Sequence, residues 1–169
     1  TGANLPDGQS GLMYVKGPNI MLGYLNRPDL TEAAIHDGWY RTGDIARIDE
    51  DGFVVILDRI ARFSKIAGEM DPHLAVEEEY RSALDSAENI LAVTSISDDK
   101  KGERLVVLHT TAAGNATALH AIIMQSKLPN LWKPDAQAYA QIDALPVTGS
   151  GKLDLRSLRE IATQRFSQN

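Results

Sequence analysis

The chain has 169 residues, 43% of them hydrophobic, with 17 Lys plus Arg against 23 Asp plus Glu, a net charge of −6. That length can bury a core of ordinary size in one domain or two small ones, while the acidic balance argues against nucleic acid as the main partner, because neutralising phosphates needs a basic surface. The absence of cysteine excludes disulfides, thiolate zinc sites and cysteine nucleophiles, and no apolar run nears the roughly 18 residues that cross a bilayer.

The opening "TGANLPDGQSG" has neither a basic start nor an apolar signal core. "GLMYVKG" (11–17) reads as a strand. "IARID" (45–49) and "FVVIL" (53–57) flank Asp51-Gly52, whose tolerance of positive φ predicts a tight hairpin. From about residue 75, Val76, Tyr80, Ala83 and Leu84 recur at helical spacing, with Glu77, Glu78 and Glu79 expected near the positive end of the helix dipole. "ILAVTSIS" (90–97) and "LVVLHTT" (105–111) read as strands joined by the charged turn "DDKKGE". A helix carrying Leu119, Ile122 and Ile123 follows Asn115, and "AYAQI" (138–142) is a short strand. A last helix, N-capped by Asp154, places Leu155, Leu158 and Ile161 on one face. The result is an α+β chain with a β-rich, glycine-punctuated front (1–58) and a mixed α/β rear (59–169), divided at "LDRIARF".

The stretch "PVTGSGKLDL" (146–155) sets Lys152 among small residues, a mobile glycine hinge ahead of a helix. It is not a P-loop: Leu153 stands where Ser or Thr is needed, and Pro146 stands at the first glycine. A lysine so placed suits stabilisation of a phosphate or carboxylate in a transition state, and solvated surface is the plain alternative. The histidines do not cluster as ligands: His109 lies in an apolar strand, His120 on a helix, His36 and His73 in loops, so no protein-held metal is expected. Nor does any histidine begin a His-x4-Asp acyltransferase pair, since the residues five beyond are Arg41, Glu78, Gly114 and Gln125.

"GYLNRPDLTEAAIHDGWYRTGD" (23–44), "DEDGFVVILDR" (49–59), "KIAGEMDPHLAVEE" (65–78) and "LPVTGSGKLDL" (145–155), in that order, resemble the C-terminal portion of the acyl-adenylate-forming superfamily. "RFSKIAGEM" and "GSGK" are most like bacterial acyl-acyl-carrier-protein synthetases, including the synthetase half of 2-acylglycerophosphoethanolamine acyltransferase. The resemblance implies that residues 1–58 are the β-rich end of the large AMP-binding domain and residues 59–169 a small mobile lid. It implies a two-step ligation: ATP, with Mg2+, activates a fatty acid as acyl-AMP, and a thiol of acyl carrier protein or CoA displaces AMP. By the same likeness Asp44 accepts hydrogen bonds from the ribose hydroxyls, Arg59 contacts the ribose, and Lys152 bridges carboxylate and phosphate oxygens during adenylation. Gly68 lets the pantetheine arm pass in the thiol step, Lys65 is a candidate for that second half-reaction, Glu77 anchors the helix, and Ala61 is the hinge.

Some residues depart from that pattern. Ala61 stands where many relatives carry aspartate or lysine, and Met70 where CoA-using relatives often offer an arginine, which favours a carrier-protein thiol. The family's phosphate loop and adenine segment lie upstream of these motifs, so the residues present read as an inactive fragment. The full-length protein is expected in the cytoplasm, with association at the inner membrane. The alternative is a non-catalytic docking module for an acidic acyl carrier protein, its basic face built from Arg59, Arg62, Lys65, Lys100, Lys101 and Arg104.

Overall fold

The computed structural model describes residues 4–86 and 88–166. The chain divides between Ala61 and Arg62 into two units, and its class is α+β, as expected.

The first unit is an antiparallel sheet built on one long strand. That strand, β3 (Trp39–Ile48), carries β1 (Gly11–Val15) along one edge, while β2 (Ile35–His36) and β4 (Val54–Arg59) share the other. The expected hairpin is β3–β4, with Ile48 opposite Val54. Its turn is closed by the Asp49 carboxylate, which accepts the N–H of Asp51 (3.1 Å) and of Phe53 (2.8 Å), and by Gly52 at φ +83°. Not anticipated was α1 (Pro28–Ala34), which starts with proline in its first turn followed by Asp29, both helix-start signals. Seven residues with none buried leave no apolar periodicity to read.

In the second unit, β7 (Leu91–Asp98) and β8 (Gly102–His109) form a hairpin paired along its whole length. The far edge of β8 is shared by β5 (Phe63–Ile66), through the single pair Ile66 and Gly102, and by β9 (Tyr139–Gln141), which runs parallel to it. β6 (Glu69–Pro72) closes a hairpin with β5. Successive residues of β8 point to opposite faces, and both faces are covered. Leu105 and Val107 pack with Leu91 and Val93 against Val76 and Tyr80 of α2 (His73–Leu84) and Leu119 and Ile123 of α3 (Ala116–Gln125). Val106 and Leu108 pack with Ala92 and Ile96 against Leu158 and Ala162 of α4 (Leu155–Phe166). Burial on both sides accounts for the near-continuous apolar run of β8.

The expected Asp154 cap is present, and Asn115 caps α3 as well. Asn115 accepts the N–H of Ala118 (2.9 Å), and Asp154 accepts those of Arg156 (3.1 Å) and Ser157 (3.2 Å). Four expectations are corrected. α2 begins at His73, so the glutamates miss its first turn, and Glu77 is buried, where it accepts the N–H of Val93 (2.9 Å) and pairs with Arg62. His73 is therefore the first helical residue and not part of a loop, while His36 lies in β2. Ala83 is exposed and does not join the inner face.

Leu158 fastens α4 to the sheet at 1% exposure. Leu158→Ala should cost about 2–5 kcal/mol, to be read as a lowered urea midpoint for the second unit with an unchanged m-value.

Candidate functional site

The first unit brings Asp44 and Arg59 together. They face each other across the β3–β4 ladder, with Arg59 Nε 2.8 Å from Asp44 Oδ1. Arg59 Nη1 also donates to the Thr42 carbonyl (3.0 Å). Thr42 Oγ1 donates to the Met13 carbonyl (3.0 Å) and accepts the Asp44 N–H (3.0 Å), which fixes the backbone beneath the carboxylate. The Asp44 side chain is 16% exposed and that of Arg59 61%, so the acid lies in the sheet surface and the cation stands out from it. Asp44 Oδ2 accepts no hydrogen bond among the described residues, which leaves acceptor capacity beside a fixed guanidinium. A vicinal diol fits such a pair.

The second unit presents Lys152 on a closed turn. Thr148 N–H donates to the Lys152 carbonyl (2.7 Å) and Gly151 N–H to that of Thr148 (2.9 Å), and Val147 bridges to Leu153. Gly151, at φ +79°, supplies the left-handed residue. The backbone here is fastened, contrary to the mobile glycine hinge expected. Freedom resides in the side chain, which is exposed and whose ammonium has no partner among the described residues.

Lys65 and Gly68 lie in the β5–β6 hairpin, closed by a two-residue turn of Ala67 (φ +49°) and Gly68 (φ +95°). That pair of positive φ values is the twist-matched turn of a short hairpin and by itself accounts for a glycine. A Cβ on Gly68 would meet open space. Lys65 is exposed; its N–H donates to Glu103 Oε2 (2.8 Å), and the Ala67 N–H donates to the Lys101 carbonyl (2.9 Å). Lys65 and Lys101 therefore flank this turn, and Lys100 precedes Lys101 in the chain. Of the other three members of the supposed basic face, Arg59 pairs with Asp44, Arg62 with Glu77, and Arg104 lies 4.0 Å from Asp98.

Beneath the hairpin is a buried polar group that motif reading passed over. Ser64 and Asp71 are a facing pair of β5 and β6, both fully buried, and Ser64 Oγ lies 2.6 Å from His73 Nε2. Neither carboxylate oxygen of Asp71 has a hydrogen-bond partner among the described residues. Burial, and secondarily the charge of Glu69, pushes the Asp71 carboxyl up to about 6. Burial likewise holds His73 neutral, its pKa lowered to about 3 with help from the charges of Arg62 and Arg159. The available signal was a carboxylate facing Ser64 across the hairpin, two residues before α2 begins. Among the described residues, no three His, Asp or Glu side chains converge as ligands for a metal, and no helix is long and apolar enough to cross a membrane.

No family model matches the chain. It is 34% identical over 164 residues to the 2-succinylbenzoate–CoA ligase of Bacillus cereus, covering 96% of this chain and 33% of that protein. It is 34% identical over 166 residues to the medium/long-chain-fatty-acid–CoA ligase FadD8 of Mycobacterium tuberculosis, covering 94% and 28%. Among solved structures, the o-succinylbenzoate coenzyme A synthetase MenE of Bacillus subtilis, in complex with ATP and magnesium ion, superposes with a TM-score of 0.73 at 29% identity, over 94% of this chain and 32% of that one. These relatives and this structural neighbour are acid–CoA ligases. The chain spans about a third of their length.

Asp71 yields a stability prediction with a definite sign. Its folded pKa stands above the unfolded value, so the penalty is in full force above pH 6 and fades as pH falls from about 6 toward 4. His73 works in the opposite direction, because acidification below its ordinary value must charge a buried ring. The comparison between variant and parent isolates Asp71. Asp71→Val should stabilise the second unit at pH 7.5 by about 1–3 kcal/mol, the cost of an unsatisfied buried acceptor. That advantage should shrink by pH 4.5 in matched denaturant titrations.

Proposed function

We propose that this chain is the C-terminal third of an ATP-dependent ligase that activates a carboxylic acid as acyl-AMP and passes the acyl group to a thiol. Residues 1–58 would then end the large nucleotide-binding domain, and residues 59–169 would be the lid, turning about Ala61. The observation that carries the reading is the contrast between two cations. Arg59 is already fixed to Asp44, as a ribose clamp requires, whereas Lys152 stands unpaired on a rigid turn, as a charge awaiting two anions requires. In this reading Asp44 accepts from the ribose hydroxyls and Arg59 lies beside them. Lys152 screens the repulsion between the attacking carboxylate and the α-phosphate. Magnesium would enter with the triphosphate, and the Lys65–Gly68 turn would face the thiol in the second step.

The acid is proposed to be a fatty acid, a class supported by the likeness to the FadD8 ligase. For the thiol, the names of the relatives favour CoA. The lysines flanking the Ala67–Gly68 turn suit an anionic carrier and keep acyl carrier protein as the second reading.

In a protein extended to the length of those relatives, Lys152→Ala should lower acid-dependent ATP–pyrophosphate exchange by about 10²–10³-fold, the usual cost of losing one transition-state charge contact. Thiol-dependent release from chemically supplied acyl-AMP should remain within a few fold of the parent. Exchange that survives the substitution would overturn the assignment.

A further inference from the structure

We infer that Glu103 is a positioning residue for the thiol step, bracing the Lys65–Gly68 hairpin against α4; the inference rests on the ligase reading above. β5 is attached to β8 by one residue pair only, Ile66 with Gly102, supplemented by the Ala67 N–H to the Lys101 carbonyl. One residue further back along β5, where a longer ladder would use a main-chain acceptor, the Lys65 N–H instead donates to the Glu103 side chain, at Oε2 (2.8 Å). The other oxygen of that carboxylate is occupied as well: Oε1 accepts from Ser95 Oγ (3.0 Å) on β7 and from Arg159 Nη2 (2.6 Å) on α4. One side chain therefore joins three elements to the strand that leads into Gly68. The Glu103 side chain is 23% exposed and that of Arg159 57%, and the bonds to the carboxylate are charge-assisted.

The consequences of losing the brace are unequal. α4 is held independently by Leu158 and Ala162 in the apolar cluster, and the Lys152 turn by its own hydrogen bonds. β5 and β6 have no comparable apolar anchor, because Ile66 is the only buried apolar residue of the two strands, whose remaining buried positions are Ser64 and Asp71. Without Glu103 the hairpin loses its position and the Lys152 turn does not. Since a displacement of about 1 Å in a reacting geometry can cost up to about 10²-fold, the second half-reaction should suffer and the first should not.

The test combines two measurements on Glu103→Ala and Glu103→Gln, the latter keeping the side-chain volume should the former fail to fold. Amide hydrogen exchange on this chain should show lost protection at Lys65, with protection retained at Leu105 and Val107; unchanged protection at Lys65 would overturn the brace. In the extended protein, Glu103→Ala should slow CoA-dependent turnover of acyl-AMP about tenfold or more, with ATP–pyrophosphate exchange within twofold of the parent, and Glu103→Gln should fall between. Loss of both half-reactions in equal measure, or of neither, would overturn the positioning role. A parent protein that shows neither half-reaction would overturn the ligase reading and the role together, a result distinct from a failure at Glu103 alone.

Discussion

Burial of both faces of the β7–β8 hairpin is the constraint on which the second unit depends. A strand covered on one side can alternate apolar and polar residues, but Leu105, Val106, Val107 and Leu108 are all buried, so each face demands its own helical cover. α2 and α3 meet one demand and α4 the other. This arrangement fixes the start of α4, and with it the Asp154 cap and the Lys152 turn that precedes it. The turn's own hydrogen bonds make it rigid, and the packing of α4 sets where it stands.

The β5–β6 hairpin is organised on the opposite principle. Its inward positions include a serine and an aspartate, and what steadies it is polar: Ser64 to His73, Lys65 to Glu103, Ala67 to Lys101. Directional bonds of this kind specify geometry while adding little net stability, and the unsatisfied Asp71 carboxylate subtracts from it. A segment with so few apolar contacts is of the kind that opens first and shifts most readily.

The same contrast explains what could be read from the sequence. Apolar period and cap chemistry located β7, β8, β9, α2, α3 and α4, because there burial dictates residue type; Asp154 serves as the cap it was expected to be. The β5–β6 hairpin escaped because Ser64 and Asp71 point inward while Met70 is exposed, inverting the pattern that marks a strand. α1 escaped because it buries no residue. Of the candidate residues, the resemblance to the acyl-adenylate-forming superfamily pointed to Asp44, Arg59 and Lys152, but only folding shows that the first two touch. Glu103 could not be found in advance, since it lies 38 residues from the N–H it accepts.

On the proposed ligase reading, Arg59 in the first unit and Lys152 in the second, each taken within its own unit, would divide binding from catalysis by conformational entropy. Arg59 is already ordered by Asp44 and the Thr42 carbonyl, so a sugar docking beside it, as proposed, would incur little further ordering cost. Lys152 retains its rotamers, and immobilising it costs on the order of 1.5–2 kcal/mol. A lone weak anion does not readily recover that cost in water. Two negative groups forced together do, because the attraction to a shared cation grows as their mutual repulsion grows. A flexible lysine on a rigid turn thus interacts most strongly when charge is most concentrated, which is the condition for lowering a barrier rather than deepening a ground state.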